Sequence, residues 1–185
     1  MNRWHLNQAA RAVNSGGVIA YPTEAVYGLG CRPEYSQAAC RILTLKGRSI
    51  SKGLILIAAE IGQIEQYVIF PNKKIRERVI STWPGPVTWV LPAKPQVPVW
   101  IRGDHNSVAV RVSDHRLVQA LCMKTGALVS TSANPANCPP AKTALKVTIY
   151  FGSSLDYILP GKTGENLKPT EIRDAISGNI LREGG

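Results

Sequence analysis

Leu54-Ile55-Leu56-Ile57-Ala58 is a short, unbroken apolar run. At that length it reads as a buried strand rather than half a helix, because a strand covered on both faces has no polar side to show. Upstream, Ser36 is placed to cap a helix whose Ala38, Ala39, Ile42 and Leu45 recur at helical spacing and which delivers Lys46-Gly47-Arg48 at its end. Further back, Leu6, Ala9, Ala10 and Val13 mark one face of a first helix ending at Gly16-Gly17. A strand is expected over 18–21 before Pro22 breaks it, and 22–30 (Pro-Thr-Glu-Ala-Val-Tyr-Gly-Leu-Gly) reads as a loop whose glycines permit unusual backbone angles or close ligand approach. Downstream, two modest helices are expected, the second around 72–81 and stopping before Trp83-Pro84-Gly85-Pro86. Strands follow over 87–91, 107–112 and 128–130, with a proline-rich connection at 94–98 and a helix over 115–124. Ile158-Leu159, Ile172-Arg173 and Ile180-Leu181 are candidates for short late strands. Strands alternating with helices place the chain in the α/β class, and the short late strands favour a mixed sheet over a purely parallel one.

The 185 residues fit one domain, 1–185, and 44% hydrophobic residues suffice for a sizeable core, which excludes a disordered chain. No apolar run approaches the ~20 residues of a membrane-spanning helix. The first residues are too polar for a secretory signal, so a cytoplasmic location away from membranes is expected. Twenty-two Lys and Arg against twelve Asp and Glu give a charge of +10, which draws polyanions such as nucleotides and RNA. Cys31, Cys40, Cys122 and Cys138 contain no CxxC pair, and His5, His105 and His115 are scattered, so no zinc site or paired-carboxylate site is visible. The cysteines read as reduced thiols.

Several segments could carry chemistry. Gly161-Lys162-Thr163 imitates the end of a phosphate-binding loop, but Asp156 stands where that loop needs glycine, and a tight turn is the better reading. Gly28-Leu29-Gly30 lacks the third glycine of a dinucleotide fingerprint, since Pro33 occupies its place. Lys46, Arg48 and Lys52 put three cations within seven residues, suited either to polyphosphate or to a solvated basic turn. Arg111 stands inside the apolar Val108-Ala109-Val110-Arg111-Val112, where it needs an acidic partner, a ligand or the solvent face of the sheet. Ser130-Thr131-Ser132-Ala133-Asn134 offers hydroxyls and an amide that bind carboxylate, ribose or phosphate, or else form a plain turn. Trp83 and Trp89 are read as core in preference to base-stacking platforms, and His115 as structural.

Taken together, 22–30, Lys46-Gly47-Arg48, Trp83-Pro84-Gly85-Pro86-Val87-Thr88, 107–112, 130–134, Pro169-Thr170-Glu171-Ile172-Arg173-Asp174 and Ile180-Leu181-Arg182 resemble, in order and spacing, the YrdC-like threonylcarbamoyl-AMP synthase family. The resemblance covers nearly the whole chain and implies an open, twisted α/β sheet with flanking helices and a basic concave face. It implies an enzyme that makes threonylcarbamoyl-AMP and pyrophosphate from L-threonine, bicarbonate or CO2, and ATP with Mg2+. Partner proteins then transfer the threonylcarbamoyl group to tRNA that reads codons beginning with A, and direct tRNA or other RNA contact is a further possibility. By matching motif positions, Lys46 and Arg48 position the phosphates, and Lys52, Ser107, Asn134 and Arg182 complete the ATP contacts, with Lys142 a weaker candidate. Thr23, Arg111, Ser132 and Thr170 are implied to hold L-threonine, the Arg111 guanidinium taking its carboxylate. No nucleophile from the protein and no metal-ligating side chain is expected. Ile57 departs from longer relatives, which often carry a threonine-contacting histidine there, and Pro135-Ala136-Asn137 replaces a commoner serine and glycine. The chain resembles the short, bacterial-type form without the extra C-terminal domain.

The rival reading is a non-catalytic module for double-stranded RNA or tRNA, favoured by the +10 charge. A carbamoyl-adenylate domain detached from a larger carbamoyltransferase is a third, against which the missing zinc-finger cysteines speak.

Overall fold

The computed structural model describes residues 2–164 and 170–184, so Pro169 of the late motif lies outside the described residues. Helix α1 (Arg3–Asn14) is followed by β1 (Ile19–Pro22), β2 (Tyr27–Gly30) and α2 (Ser36–Lys46). Next come β3 (Ile55–Ala58), α3 (Ile61–Glu65), α4 (Lys73–Ile80), β4 (Val87–Pro92), α5 (Val99–Arg102) and β5 (Ser107–Val112). The chain continues with α6 (Arg116–Thr125), β6 (Leu128–Ser132), α7 (Ala144–Phe151), β7 (Tyr157–Ile158), β8 (Glu171–Asp174) and β9 (Ile180–Arg182). Among the described residues the strands form one sheet in the order β7-β1-β2-β6-β3-β5-β4-β8-β9. The pairs β1/β7, β3/β5 and β4/β8 are parallel and the others antiparallel, so the sheet is mixed, as expected.

The two faces of this sheet are covered unequally. Along β5 successive side chains alternate, Val108, Val110 and Val112 to one face and Ser107, Ala109 and Arg111 to the other. The valine face carries the larger core, in which Leu56, Trp89, Leu91 and Val129 pack against Ile42 of α2, Val79 of α4, Ile101 of α5 and Val147 of α7. Among the described residues the opposite face is covered at one end, where α1 and α6 bring Leu6, Val13, Val118 and Leu121 onto Ile19, Tyr21, Ile57 and Leu128. Each such fully buried aliphatic side chain contributes about 1.5–3 kcal/mol relative to exposure, so the covered end is well anchored. The uncovered remainder of that face is the floor of a cavity.

Several sequence expectations need correction. Pro22 does not break its strand but closes it, pairing with Tyr27, and 27–30 is a strand rather than loop. The glycines there mark close approach: a Cβ on Gly30 would lie 2.6 Å from both Tyr21 Cε1 and the Val129 carbonyl oxygen. Ser36 is the first helical residue and makes no cap; Tyr35 occupies the cap position without a side-chain bond. Leu43 joins the buried stripe of α2, and Leu45 is partly buried and packs against the same core. Residues 161–164 form no hydrogen-bonded turn; they are held by Tyr27 Oη donating to the Gly161 carbonyl (2.7 Å) and by Gly164 N donating to the Thr23 carbonyl (2.9 Å). Helices α5 and α7 had no counterpart in the sequence reading. Trp89 is core and Trp83 packs against it, as expected. All four cysteines are free.

Candidate functional site

The uncovered half of the sheet floors an open cavity of about 820 Å³, near the top of the range typical of small-molecule sites. Thr23, Lys46, Arg48, Lys52, Ser107 and Arg111 all line it, as do Ser132, Asn134, Thr170 and Arg182. Lys142 does not, and is exposed. Ile57 shares the Arg111 face but is buried beneath α6 and does not reach the cavity.

The basic motif is built by a helix ending. Gly47 takes the left-handed conformation (φ 56°), its N–H donating to the Thr44 carbonyl (3.0 Å) and that of Arg48 to the Leu43 carbonyl (2.9 Å), a Schellman closure. This reversal sends Lys46 into the cavity while Arg48 folds over a 3-10 turn (Ile50–Lys52), donating to the Gly53 carbonyl through Nε (3.2 Å) and Nη2 (3.1 Å). Lys46 is therefore not a solvated charge. It is 8% exposed, and its Nζ donates to the carbonyls of Ser132 (2.5 Å) and Asn134 (2.9 Å). Burial, and then the Arg48 charge, bring its pKa down to about 8. Burial also lowers the pKa of Arg48.

Asn134 does something different from direct ligand contact. Its Nδ2 donates both hydrogens, to the carbonyls of Pro135 (3.0 Å) and Cys138 (2.8 Å), and so closes the loop after β6 over one side of the cavity. Pro135 and Ala136 line the cavity, and Asn137 takes a positive φ of 62°, a conformation asparagine tolerates better than most residues. Thr23 likewise spends its hydroxyl hydrogen on the Val26 carbonyl (2.7 Å), tightening the β1–β2 connection.

At the other end of the cavity Arg111 lies in a buried polar cluster. Its Nη1 donates to Thr170 Oγ1 (2.5 Å) and Thr88 Oγ1 (3.3 Å), and its Nη2 to Glu24 Oε2 (3.1 Å). Glu24 is 4% exposed and also accepts from Ser113 Oγ (2.5 Å). Arg111 thus has the acidic partner that an arginine in an apolar strand requires, and it also faces the cavity. Its Nε is buried without a hydrogen-bond partner. Arg182 donates to the Thr170 carbonyl (2.6 Å); burial, then the nearby Arg111 charge, lowers its pKa.

Sequence reasoning missed Glu24, Arg102, His105 and Asp174. Glu24 was visible inside the 22–30 motif and is the acid that Arg111 called for, but nothing local links residues 87 positions apart. Arg102 and His105 line the cavity just ahead of β5, where Arg102 donates to the His105 carbonyl (3.0 Å). Asp174 is the acidic residue of the lining, and its Oδ1 accepts from Ser177 N (2.6 Å) and Ser177 Oγ (2.9 Å).

Chemically, the cavity offers cations for an extended polyanion at one end and a hydroxyl-lined guanidinium for a carboxylate at the other. A family model described as telomere recombination, and named for Sua5, YciO and YrdC, matches residues 11–184. The chain is 57% identical over 180 residues to a threonylcarbamoyl-AMP synthase of Nitrosococcus oceani, covering 97% of each protein. It is 51% identical over 174 residues to one of Pseudomonas aeruginosa, covering 94% of each. Its fold matches the crystal structure of P. abyssi Sua5 complexed with L-threonine at a TM-score of 0.92 and 30% identity, over 100% of this chain and 55% of that one.

Proposed function

We propose a function from one premise: the chain belongs to the Sua5/YciO/YrdC family. It is a threonylcarbamoyl-AMP synthase, which forms L-threonylcarbamoyladenylate and pyrophosphate from L-threonine, bicarbonate or CO2, and ATP. The observation that carries this reading is the joining, in one cavity, of the Lys46/Arg48/Lys52 cations with the Arg111/Thr170 carboxylate end.

The reaction needs no nucleophile from the protein. The threonine amine adds to CO2, losing a proton, and the resulting carbamate oxygen forms a bond to the α-phosphorus while the bond to pyrophosphate breaks. What the chain supplies is placement of two substrates and fixed positive charge where phosphate charge builds up on the leaving group. Lys46, Arg48 and Lys52 hold and neutralise the phosphates, with Ser107 and Arg182 as further nucleotide contacts. Asn134 serves the same end by shaping its loop and accepting from Lys46 Nζ (3.4 Å). Arg111, Thr23, Ser132 and Thr170 hold L-threonine, in keeping with the threonine bound in P. abyssi Sua5.

Mg2+ belongs to the proposal as a companion of ATP. Among the described residues no three His, Cys, Asp or Glu side chains converge, and Asp174 is committed to the turn at Ser177. The donor set fits an ion carried by phosphates and water rather than by a protein cage. Proteins that transfer the threonylcarbamoyl group to tRNA would consume the product. Among the described residues no helix is long and apolar enough to cross a membrane.

The deciding experiment is pyrophosphate release from ATP and Mg2+ by the purified protein, with threonine and bicarbonate omitted in turn and the adenylate identified by mass spectrometry. Release that requires both supports the synthase. A folded protein that retains RNA in a salt-sensitive way and releases no pyrophosphate would shift the assignment to an RNA-binding module.

A further inference from the structure

Six cations line the cavity: Lys46, Arg48, Lys52, Arg102, Arg111 and Arg182. Of these six, Arg111 alone has a carboxylate within ion-pair distance among the described residues. Lys46 is held by neutral carbonyls, and Arg48, Arg102 and Arg182 likewise donate to backbone oxygens, so among the described residues no carboxylate pairs with their charge. Arg111 differs because the partner Glu24 is itself buried, pinned by Ser113 Oγ on its second oxygen.

Hydrogen-bond arithmetic shows what that pairing leaves over. A guanidinium has five N–H groups. Thr170, Thr88 and Glu24 take one each, which leaves Nε–H and one Nη2–H. Nε is buried with almost no accessible surface, so it is the remaining Nη2–H that is left for a ligand. That N–H is a directed donor that can take a carboxylate oxygen even when the net charge of the guanidinium is cancelled. A triphosphate is drawn chiefly by uncompensated charge, which Lys46, Arg48, Lys52 and Arg102 supply; Arg182, which donates to the Thr170 carbonyl, stands beside Arg111 and adds one cation at the carboxylate end.

We propose that Glu24 is a positioning residue that makes the amino-acid end of the cavity selective. It holds Arg111 in a charge-neutral pair that accepts a carboxylate through a directed hydrogen bond yet does not attract the phosphates of the nucleotide. This rests on the synthase reading and adds to it a division of labour: charge selects at one end of the cavity, geometry at the other. Without the pairing, two polyanion sites would share one cavity, and ATP or released pyrophosphate would occupy the place of threonine.

The test is calorimetric binding of L-threonine to the purified full chain, with and without tripolyphosphate at concentrations that saturate the phosphate end. In the wild type, tripolyphosphate should leave threonine affinity unchanged within about twofold. Glu24→Gln keeps the shape and can still bond Arg111 and Ser113, but removes the charge. There tripolyphosphate should weaken threonine binding by about tenfold or more. Glu24→Asp retains the charge with a shorter reach, so it should weaken threonine without creating competition. A merely structural Glu24 would lower melting temperature and threonine affinity in E24Q with no new competition, and that result overturns the proposal. Displacement of threonine by tripolyphosphate from the wild type overturns it too, whether or not E24Q folds, and so does competition in E24D. A wild-type chain that binds no threonine at all overturns the synthase reading together with the inference, whereas threonine binding with unaltered E24Q selectivity overturns the inference alone.

Discussion

Arg111→Ala is expected to damage the fold as much as threonine binding. The substitution leaves Glu24, 4% exposed, with only the Ser113 hydroxyl to stabilise a buried negative charge. Removing one member of a buried ion pair costs about 3–5 kcal/mol, because the remaining charge stays desolvated and uncompensated. For a domain of this size each kcal/mol lowers the melting temperature by about 2–4 °C, so a fall of about 6–20 °C is expected. The discriminating step is the double variant Arg111→Ala/Glu24→Gln, in which the stranded charge is gone and only polar groups with incomplete hydrogen bonds remain. It should recover part of the loss, bringing the deficit to about 1–3 kcal/mol. Urea and thermal unfolding of wild type, both single variants and the double variant measure the cycle. An R111A protein within about 1 kcal/mol of wild type, or a double variant less stable than R111A, would refute the charge-stranding argument. Calorimetry on folded R111A at low temperature should also show threonine binding lost while tripolyphosphate binding at the other end persists.

Lys46→Ala and Arg48→Ala should each lower pyrophosphate release by about 100-fold or more with unchanged circular dichroism, and near-normal turnover in either would remove that residue from the phosphate site. With its pKa lowered to about 8 by burial and then by Arg48, Lys46 should lose its charge above that pH, so tripolyphosphate affinity should fall between pH 8 and 9.5 in wild type but not in Lys46→Arg. The sign for stability is the reverse. Between about 8 and 10.5 the unfolded chain binds more protons at this lysine than the folded one, so the penalty for burying the ammonium is complete below pH 8 and relieved as pH rises; a pH series of urea midpoints, wild type against Lys46→Met, reads it. Asn134→Ala, which frees the carbonyls of Pro135 and Cys138, should cost about 1–2 kcal/mol in urea unfolding and raise KM for ATP more than it lowers kcat; an unchanged KM would contradict its loop-closing role.

What was legible in the sequence follows from which signals are local. β5 was read correctly to the residue because its period-two alternation is set by its own six side chains. Helix α7 has a cap signal in Thr143, its Oγ1 accepting from Lys146 N (3.1 Å), but only Val147 and Phe151 of it are fully buried, and two such positions make a weak period. The four-residue α5 is too short for any periodicity. Over 22–30 the glycines suggest backbone freedom and hence a loop, whereas Gly30 answers to a Tyr21 ring and a Val129 carbonyl brought in by the fold. The site residues sit in segments far apart in sequence, and composition gave only their charge. Family resemblance selected them, and no local pattern pointed to Glu24, whose meaning exists only once β5 lies beside the β1–β2 connection.

The unequal covering of the sheet explains why one small domain can hold so much uncompensated charge. The larger core lies wholly on the valine side of β5, so the cations on the other side can face open space without interrupting it. Lys46, Arg48, Arg102 and Arg182 are each tied to carbonyl oxygens at chain reversals or strand ends, sites where the backbone already has acceptors to spare. Substituting them should therefore change ligand binding more than stability. Arg111 stands inside β5, where no chain reversal offers free carbonyls, and Glu24 with two threonine hydroxyls takes their place. Glu24 is the physical consequence of that position: a buried cation within a strand needs a counter-ion where one beside a chain reversal is met by carbonyls. The pair that this demands converts a general anion attractor into a directed donor for a carboxylate.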